Sequence, residues 1–170
     1  MGDAGHLKLR SPGDPGWSDD SSRSKVDPMT DTDANKKIVT SFIDRLFSRG
    51  DLTAVDECLS QDFVNHDPPF GASPDREGMR AAASTFRVAS PDWHSELHLL
   101  LAEDDLVAEV FTASGTHRGE LMGVAPTGQE VSLRGINVFR VRDGRITERW
   151  GRLDDLGFLQ QLGLAPVAGA

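Results

Sequence analysis

The residues best suited to chemistry lie toward the C-terminal end of the chain. Ile146, Glu148, Trp150, Arg152 and Asp154 occupy alternate positions, and alternate positions of a strand share a face. A carboxyl at Asp154 beside the Trp150 ring, in a partly dry cavity, is expected to have a raised pKa, because low dielectric disfavours the charged form. Such a group can exchange a proton near neutral pH. Asp154 and Asp155 also precede the last helical segment, so either is equally placed as its N-cap.

Histidine is the usual carrier of protons near pH 7, which makes His66, His94 and His117 candidates. Each also reads as a structural or exposed side chain. Asn137 can orient a substrate carbonyl. Glu109, Phe111, Ala113, Gly115 and His117 share one face of a strand, and Leu133, Gly135, Asn137, Phe139 and Val141 one face of the next. Polar groups set among apolar ones suit a pocket better than a dry core, where an unpaired polar group costs roughly 1–3 kcal/mol. The remaining positions of the last strand (Arg145, Thr147, Arg149, Gly151 and Leu153) read as mostly solvent-facing.

Other chemistries find less support. His94 and His98 are four apart, a chelating interval on a helix, but on a strand they stand roughly 13 Å apart at about 3.3 Å per residue. No metal site is expected. The glycines at 115, 119 and 123 do not join a strand to a helix, so no phosphate cradle is expected. No G-x-S-x-G nucleophile elbow occurs.

The elements that must position these residues follow from periodicity. Ile38, Val39, Phe42, Ile43, Leu46 and Phe47 form one helical stripe after a cap at Asp31 or Asp33, ended by Gly50. A short helix follows over 53–59. Phe63 to His66 is a short strand, and the loop Asp67–Gly71 leads to a third helix opening at Ser73-Pro74-Asp75. From Asp92 onward the period becomes two. Strands are expected over 93–101, 106–117, 131–141 and 146–153, with a hairpin at Asp143-Gly144 and a last helix over 155–162. Helices followed by a meander of antiparallel strands give an α+β domain with the helices on one side of a curved sheet.

The 170 residues carry a formal net charge of −9, which argues against nucleic acid as partner. No apolar run approaches the roughly 20 residues that span a bilayer, so no membrane partner is expected. The start of the chain lacks the basic-then-apolar order of a secretory signal, and a cytoplasmic address is expected. One cysteine, Cys58, excludes an internal disulfide framework and a Cys-based zinc cluster. Residues 1–32 are rich in Gly, Pro, Ser and Asp and read as a disordered tail in which Trp17 is a lone aromatic. The domain is expected over 33–164, with a C-terminal tail at 165–170.

The motifs Phe63-Val64-Asn65-His66-Asp67-Pro68, Ser90-Pro91-Asp92-Trp93, Gly115-Thr116-His117-Arg118-Gly119 and Pro126-Thr127-Gly128 fall in order. Phe139-Arg140-Val141-Arg142-Asp143-Gly144-Arg145-Ile146, Glu148-x-Trp150-x3-Asp154 and Gln161-Leu162-Gly163 follow. Over residues 34–164 this resembles the SnoaL-like polyketide cyclase (ester cyclase) branch of the NTF2-like fold. The resemblance implies a cone-shaped cavity, dimers or tetramers built on the outer sheet face, and no cofactor. It also implies an aspartate, falling at Asp154, as acid/base in an intramolecular aldol closure of an apolar, oxygenated small molecule. His66 and Asn137 would then hold the oxygens, and Trp150, Phe111 and Phe139 the flat walls; His94 would join the acid–base set and His117 the substrate contacts. The chain has no tyrosine, which sets it apart in how a substrate oxygen is held. Relatives also suggest isomerisation, cofactor-free hydroxylation or water addition as in epoxide opening, for which Glu148, Arg152 and Asp154 are the candidate face, or a non-catalytic small-molecule-binding module.

Overall fold

A computed structural model describes residues 28–167 of the chain, with side chains from 32 onward. The apolar stripe of the first helix builds α1 (Pro28–Ile43), which a π turn over Asp44–Ser48 carries on to Gly50, where φ is +70°. Helix α2 (Ala54–Cys58) leads directly into β1 (Leu59–Asn65). Helix α3 (Arg76–Ala89) starts where the Asp75 carboxylate accepts a hydrogen bond from the Gly78 N–H. The meander follows as β2 (His94–Glu103), β3 (Leu106–Thr116), β4 (Glu130–Arg142) and β5 (Arg145–Leu153), closed by α4 (Asp155–Gln161). Residues 28–32, expected in the tail, therefore belong to α1. The rest of that segment, Trp17 included, lies outside the described residues.

The strands form one curved sheet in the order β1-β5-β4-β3-β2, an α+β fold. It is not antiparallel throughout. β1 runs parallel to β5, because α3 and three strands intervene and serve as the crossover that a parallel pair needs. The helices cover the concave face and leave the other face of the sheet outward.

Two apolar clusters lie under the helices. Phe42, Leu46, Val55, Leu59 and Phe63 pack on Val107, Phe139 and Ile146 at one end of the sheet. Phe86, Trp93, Leu133 and Phe158 pack together at the other. Phe139 is thus core, set edge-on to Phe42 with ring centroids 6.4 Å apart. That corrects its expected place as a pocket wall: the position points inward, but α1 fills the space above it.

One irregularity decides which side chains of β5 face inward. Ile146 pairs with Val141, yet the next partner of Arg140 is Glu148. Thr147 is the extra residue of a β-bulge, and one extra residue reverses the faces beyond it. Ile146 stays in the core, whereas from Glu148 onward the even positions turn outward and Arg149, Gly151 and Leu153 turn inward.

Candidate active site

Between the two clusters the inner face of the sheet carries a cavity of about 60 Å³. Its walls are almost wholly apolar: Phe47 from the π turn, Met79 and Phe86 from α3, Trp93, and Phe111, Leu133 and Leu153 from the sheet. Four polar side chains join them: Ser95 from β2, and Glu109, Asn137 and Arg149 from the adjacent strands β3, β4 and β5. Gly135 makes room for the wall. A Cβ there would stand 2.6 Å from Leu153 Cδ2 and 2.9 Å from the Phe111 ring, so its absence lets those two side chains converge across the sheet.

Glu109, Asn137 and Arg149 form one chain of hydrogen bonds. Glu109 and Asn137 are opposite each other in the β3–β4 ladder, and Asn137 Nδ2 donates to Glu109 Oε1 at 2.7 Å. Arg149 Nη2 donates to Asn137 Oδ1 at 2.6 Å. Arg149 Nη1 donates to Asn65 Oδ1 at 2.9 Å and to the Asp67 carbonyl at 3.3 Å. Glu109 is 2% exposed and Arg149 5%. Burial pushes the Glu109 carboxyl above its ordinary range, against the Asn137 hydrogen bond and the Arg149 charge, which pull it down. Burial likewise lowers Arg149, with Glu109 and Asp67 opposing; a guanidinium remains protonated all the same.

Chemically this is a proton carrier and a fixed cation facing one apolar space. A carboxyl in low dielectric is a better base when ionised and holds its proton to higher pH when neutral. A buried guanidinium stabilises a developing oxyanion more strongly than it would in water. At about 60 Å³ the cavity is smaller than the roughly 150 Å³ that accommodates benzene, so a ring-sized guest reaches beyond it or displaces a wall. The least regular wall is Pro69–Gly71, where Pro69 lines the cavity and Phe70 adopts φ +52° with its ring on Phe158.

Of the residues expected at the site, Asn137 and Phe111 line the cavity. The bulge takes Glu148, Trp150 and Arg152 to the outer face instead. There Glu148 bonds His66 at 2.8 Å, Trp150 stacks on the His66 ring, and Arg152 pairs with Asp67. Asp154 is exposed, with Oδ1 accepting from the Gly157 N–H at 2.9 Å; it caps α4, the alternative already open in the sequence. His94 is exposed at the start of β2, its Nδ1 3.1 Å from the Asp92 carbonyl. His117 is fully buried beyond the cavity wall, where Nδ1 lies 3.2 Å from Thr127 Oγ1.

Sequence reasoning passes over Glu109, Arg149 and Asn65 as site residues. Glu109 carried a signal, since it shares the inner face with Phe111 and lies opposite Asn137. Arg149 carried none, because the bulge alone turns it inward. Among the described residues no group of three or more His, Cys, Asp or Glu side chains is arranged to hold an ion, and no helix is long and apolar enough to cross a membrane.

Comparison with known proteins places this geometry among relatives. The family model for SnoaL-like polyketide cyclase matches residues 37–162. A comparison with curated proteins gives no match. Among solved structures, AclR of Streptomyces galilaeus, described as a candidate hydroxylase, is 30% identical with a TM-score of 0.71, covering 80% of this chain and 89% of its own. IdmH of Streptomyces antibioticus, a candidate polyketide cyclase, is 33% identical with a TM-score of 0.67, covering 76% and 98%. A candidate polyketide cyclase from Bacillus cereus is 28% identical with a TM-score of 0.68, covering 78% and 83%.

Proposed function

Since the chain belongs to the SnoaL-like polyketide cyclase family, we propose that it is a cofactor-independent acid–base enzyme closing a ring in a polyketide-like β-dicarbonyl compound, with Glu109 as the proton carrier. The observation that supports this reading is the Glu109 carboxyl, desolvated in an apolar cavity and joined through Asn137 to the buried Arg149 cation.

The steps balance without an oxidant or cofactor. Ionised Glu109 takes a proton from the carbon between two carbonyls, and Arg149 draws the resulting enolate oxygen toward its charge. The enolate carbon attacks a third, more distant carbonyl of the same molecule, and the new alkoxide takes the proton back from Glu109. The methylene is already acidic, so a modest base suffices. Holding the reacting carbons together can supply up to about 7–11 kcal/mol in ideal cases. Phe111, Phe86 and Trp93 provide flat walls for the apolar part of the substrate.

Solvent-deuterium exchange at the methylene of a simple β-diketone reads the first step without knowledge of the natural substrate. The wild-type protein should accelerate exchange, and Glu109→Gln should lose about 10²–10⁴-fold, the span of general acid–base contributions. A Glu109→Gln protein that exchanges at the wild-type rate removes Glu109 from the chemistry. A second reading, hydroxylation or water addition, draws on the likeness to AclR; label from ¹⁸O-water or ¹⁸O₂ appearing in product would favour it over ring closure.

The resemblance also implies a homodimer or homotetramer, and the outer sheet face offers the surface for it. Leu99, Leu101 and Ile136 are about half exposed there, beside the less exposed Val110 and Val138. Covering such a patch with a second copy removes apolar area from water.

A further inference from the structure

The motif residues that the cavity does not use lie together on the other side of the same sheet. His66 Nε2 and Glu148 Oε2 are 2.8 Å apart. The His66 ring lies on the Trp150 ring at 4.6 Å between centroids and 8° between planes. Arg140 bonds the other oxygen of Glu148 and places its guanidinium carbon 5.2 Å from the Trp150 ring centroid. Glu148 and Trp150 are the immediate neighbours of Arg149, and the alternation of β5 puts them outward where it puts Arg149 inward. The His66 N–H donates to the Arg149 carbonyl at 2.8 Å. His66 therefore sits directly behind the backbone that carries the cavity's cation.

The neighbours of His66 work on the inner side. Asn65 Oδ1 and the Asp67 carbonyl both accept from Arg149 Nη1. The Asp67 N–H donates to the same Asn65 oxygen at 3.3 Å, and Asp67 Oδ2 accepts from the Gly151 N–H at 3.1 Å. Two short stretches, 65–67 and 148–151, thus grip each other on both faces of the sheet. The inner grip fixes where the guanidinium points, and the outer grip fixes the segment that supplies it.

We infer that His66 is a positioning residue for Arg149: held outside the cavity by Glu148 and Trp150, it anchors the Asn65–Asp67 segment whose oxygens aim the guanidinium into the site. The inference rests on the reading of Glu109 and Arg149 as one acid–base unit. It gives the His66, Glu148 and Trp150 motif a part in the chemistry without any of the three touching substrate. The groups facing Glu109 within the cavity are Asn137 and Arg149, and the cavity's remaining lining brings no other ionisable side chain. Any movement of Arg149 must therefore register in how Glu109 titrates.

The test is a ¹³C titration of the Glu109 carboxyl in the intact protein, with the resonance assigned from Glu109→Gln. The Arg149 charge pulls the Glu109 carboxyl down from across Asn137, a weaker hold than the about 1–3 units of an adjacent opposite charge, so loosening Arg149 in His66→Ala should raise the Glu109 midpoint by about 0.5 unit. His66→Phe keeps a ring on Trp150 but loses the bond to Glu148, and should give a smaller rise in the same direction. His98→Ala, on the same outer face but bonded to Thr112 of β3, should leave the midpoint in place. No shift, or a downward one, in whichever His66 variant folds overturns the inference. Because the readout needs no turnover, it stands apart from the catalytic reading: a raised midpoint with an active Glu109→Gln would sink that reading and leave this one.

Discussion

Gly151 leaves open the space that the Arg149 head group fills. A Cβ at 151 would stand 2.4 Å from Arg149 Nη2 and 2.9 Å from Asn137 Oδ1, inside contact distance of both. The guanidinium lies back along its own strand to reach Asn137, and only a residue without a side chain two positions on permits it. Glycine serves here by its small size.

Gly151→Ala should consequently act on activity and stability together. The clash falls on the head group of a buried, hydrogen-bonded cation, and leaving its partners unpaired costs about 1–3 kcal/mol, so the melting temperature should fall by several degrees in a protein that still folds. Arg149 would lose its bond to Asn137, and displacing a group by about 1 Å can cost 10²-fold in rate. Diketone exchange should fall tenfold to a hundredfold. Exchange at the wild-type rate in this variant would mean that the position of Arg149 is irrelevant to the reaction.

Glu109 makes a second prediction, about stability against pH. Its pKa in the folded protein lies above the ordinary carboxylate range, chiefly through burial. The folded state therefore holds this proton more tightly than the unfolded chain does. The stability that follows is fully present below the unfolded value of about 4.3, and is lost as pH rises through the folded pKa. Glu109→Gln removes the titration, so its stability relative to wild type should climb between about pH 4.3 and the folded pKa, by at most about 1.4 kcal/mol per pH unit. Urea midpoints of the two proteins at several pH values check this. A difference that stays flat across the range would show an unperturbed carboxyl.

Why Glu109 and Arg149 were not equally legible follows from how strands encode faces. The stripe from Ile38 to Phe47 and the Asp143-Gly144 turn carry local signals, and the elements they predict are present. Glu109 and Asn137 sit on strands β3 and β4, whose mutual register is unbroken, so their shared inner face could be read by counting in twos. On β5 the count fails at Thr147, a β-branched residue ordinary in strands that gives no sign of a bulge. One uncounted residue exchanges Arg149 for Glu148 and Trp150. Asp154 posed a different problem, since an aspartate before a helix satisfies both a capping and a catalytic pattern; in the structure its carboxylate accepts from the Gly157 N–H.

That bond yields a third prediction. Asp154 Oδ1 accepts from the Gly157 N–H at the start of α4, and removing such a cap costs about 0.5–2 kcal/mol. Asp154→Ala should lower the melting temperature by several degrees, while Asp154→Asn, which can still cap, should stay near wild type in both stability and turnover. A collapse of turnover in the folded Asn variant would return this carboxyl to the chemistry and take the role from Glu109.

The outer sheet face supplies the last prediction. Leu101 is 58% exposed and Ile136 51%, on strands separated only by β3, and the facing positions of β3 between them are Ala108 and Val110. An exposed aliphatic stripe across three strands is stable in water only at a cost of about 25 cal/mol per Å², which pairing with a second copy relieves. A two-fold pairing places each stripe against its own image, so one substitution is felt twice. Ile136→Glu puts a pair of like charges, themselves desolvated, at the centre of the seam. Sedimentation should show the wild type as a dimer or tetramer and Ile136→Glu as a monomer, with β3 and β4 and hence the Glu109–Asn137 bond intact behind it. A wild-type protein that sediments as a monomer at high micromolar concentration would leave this face without its proposed occupant.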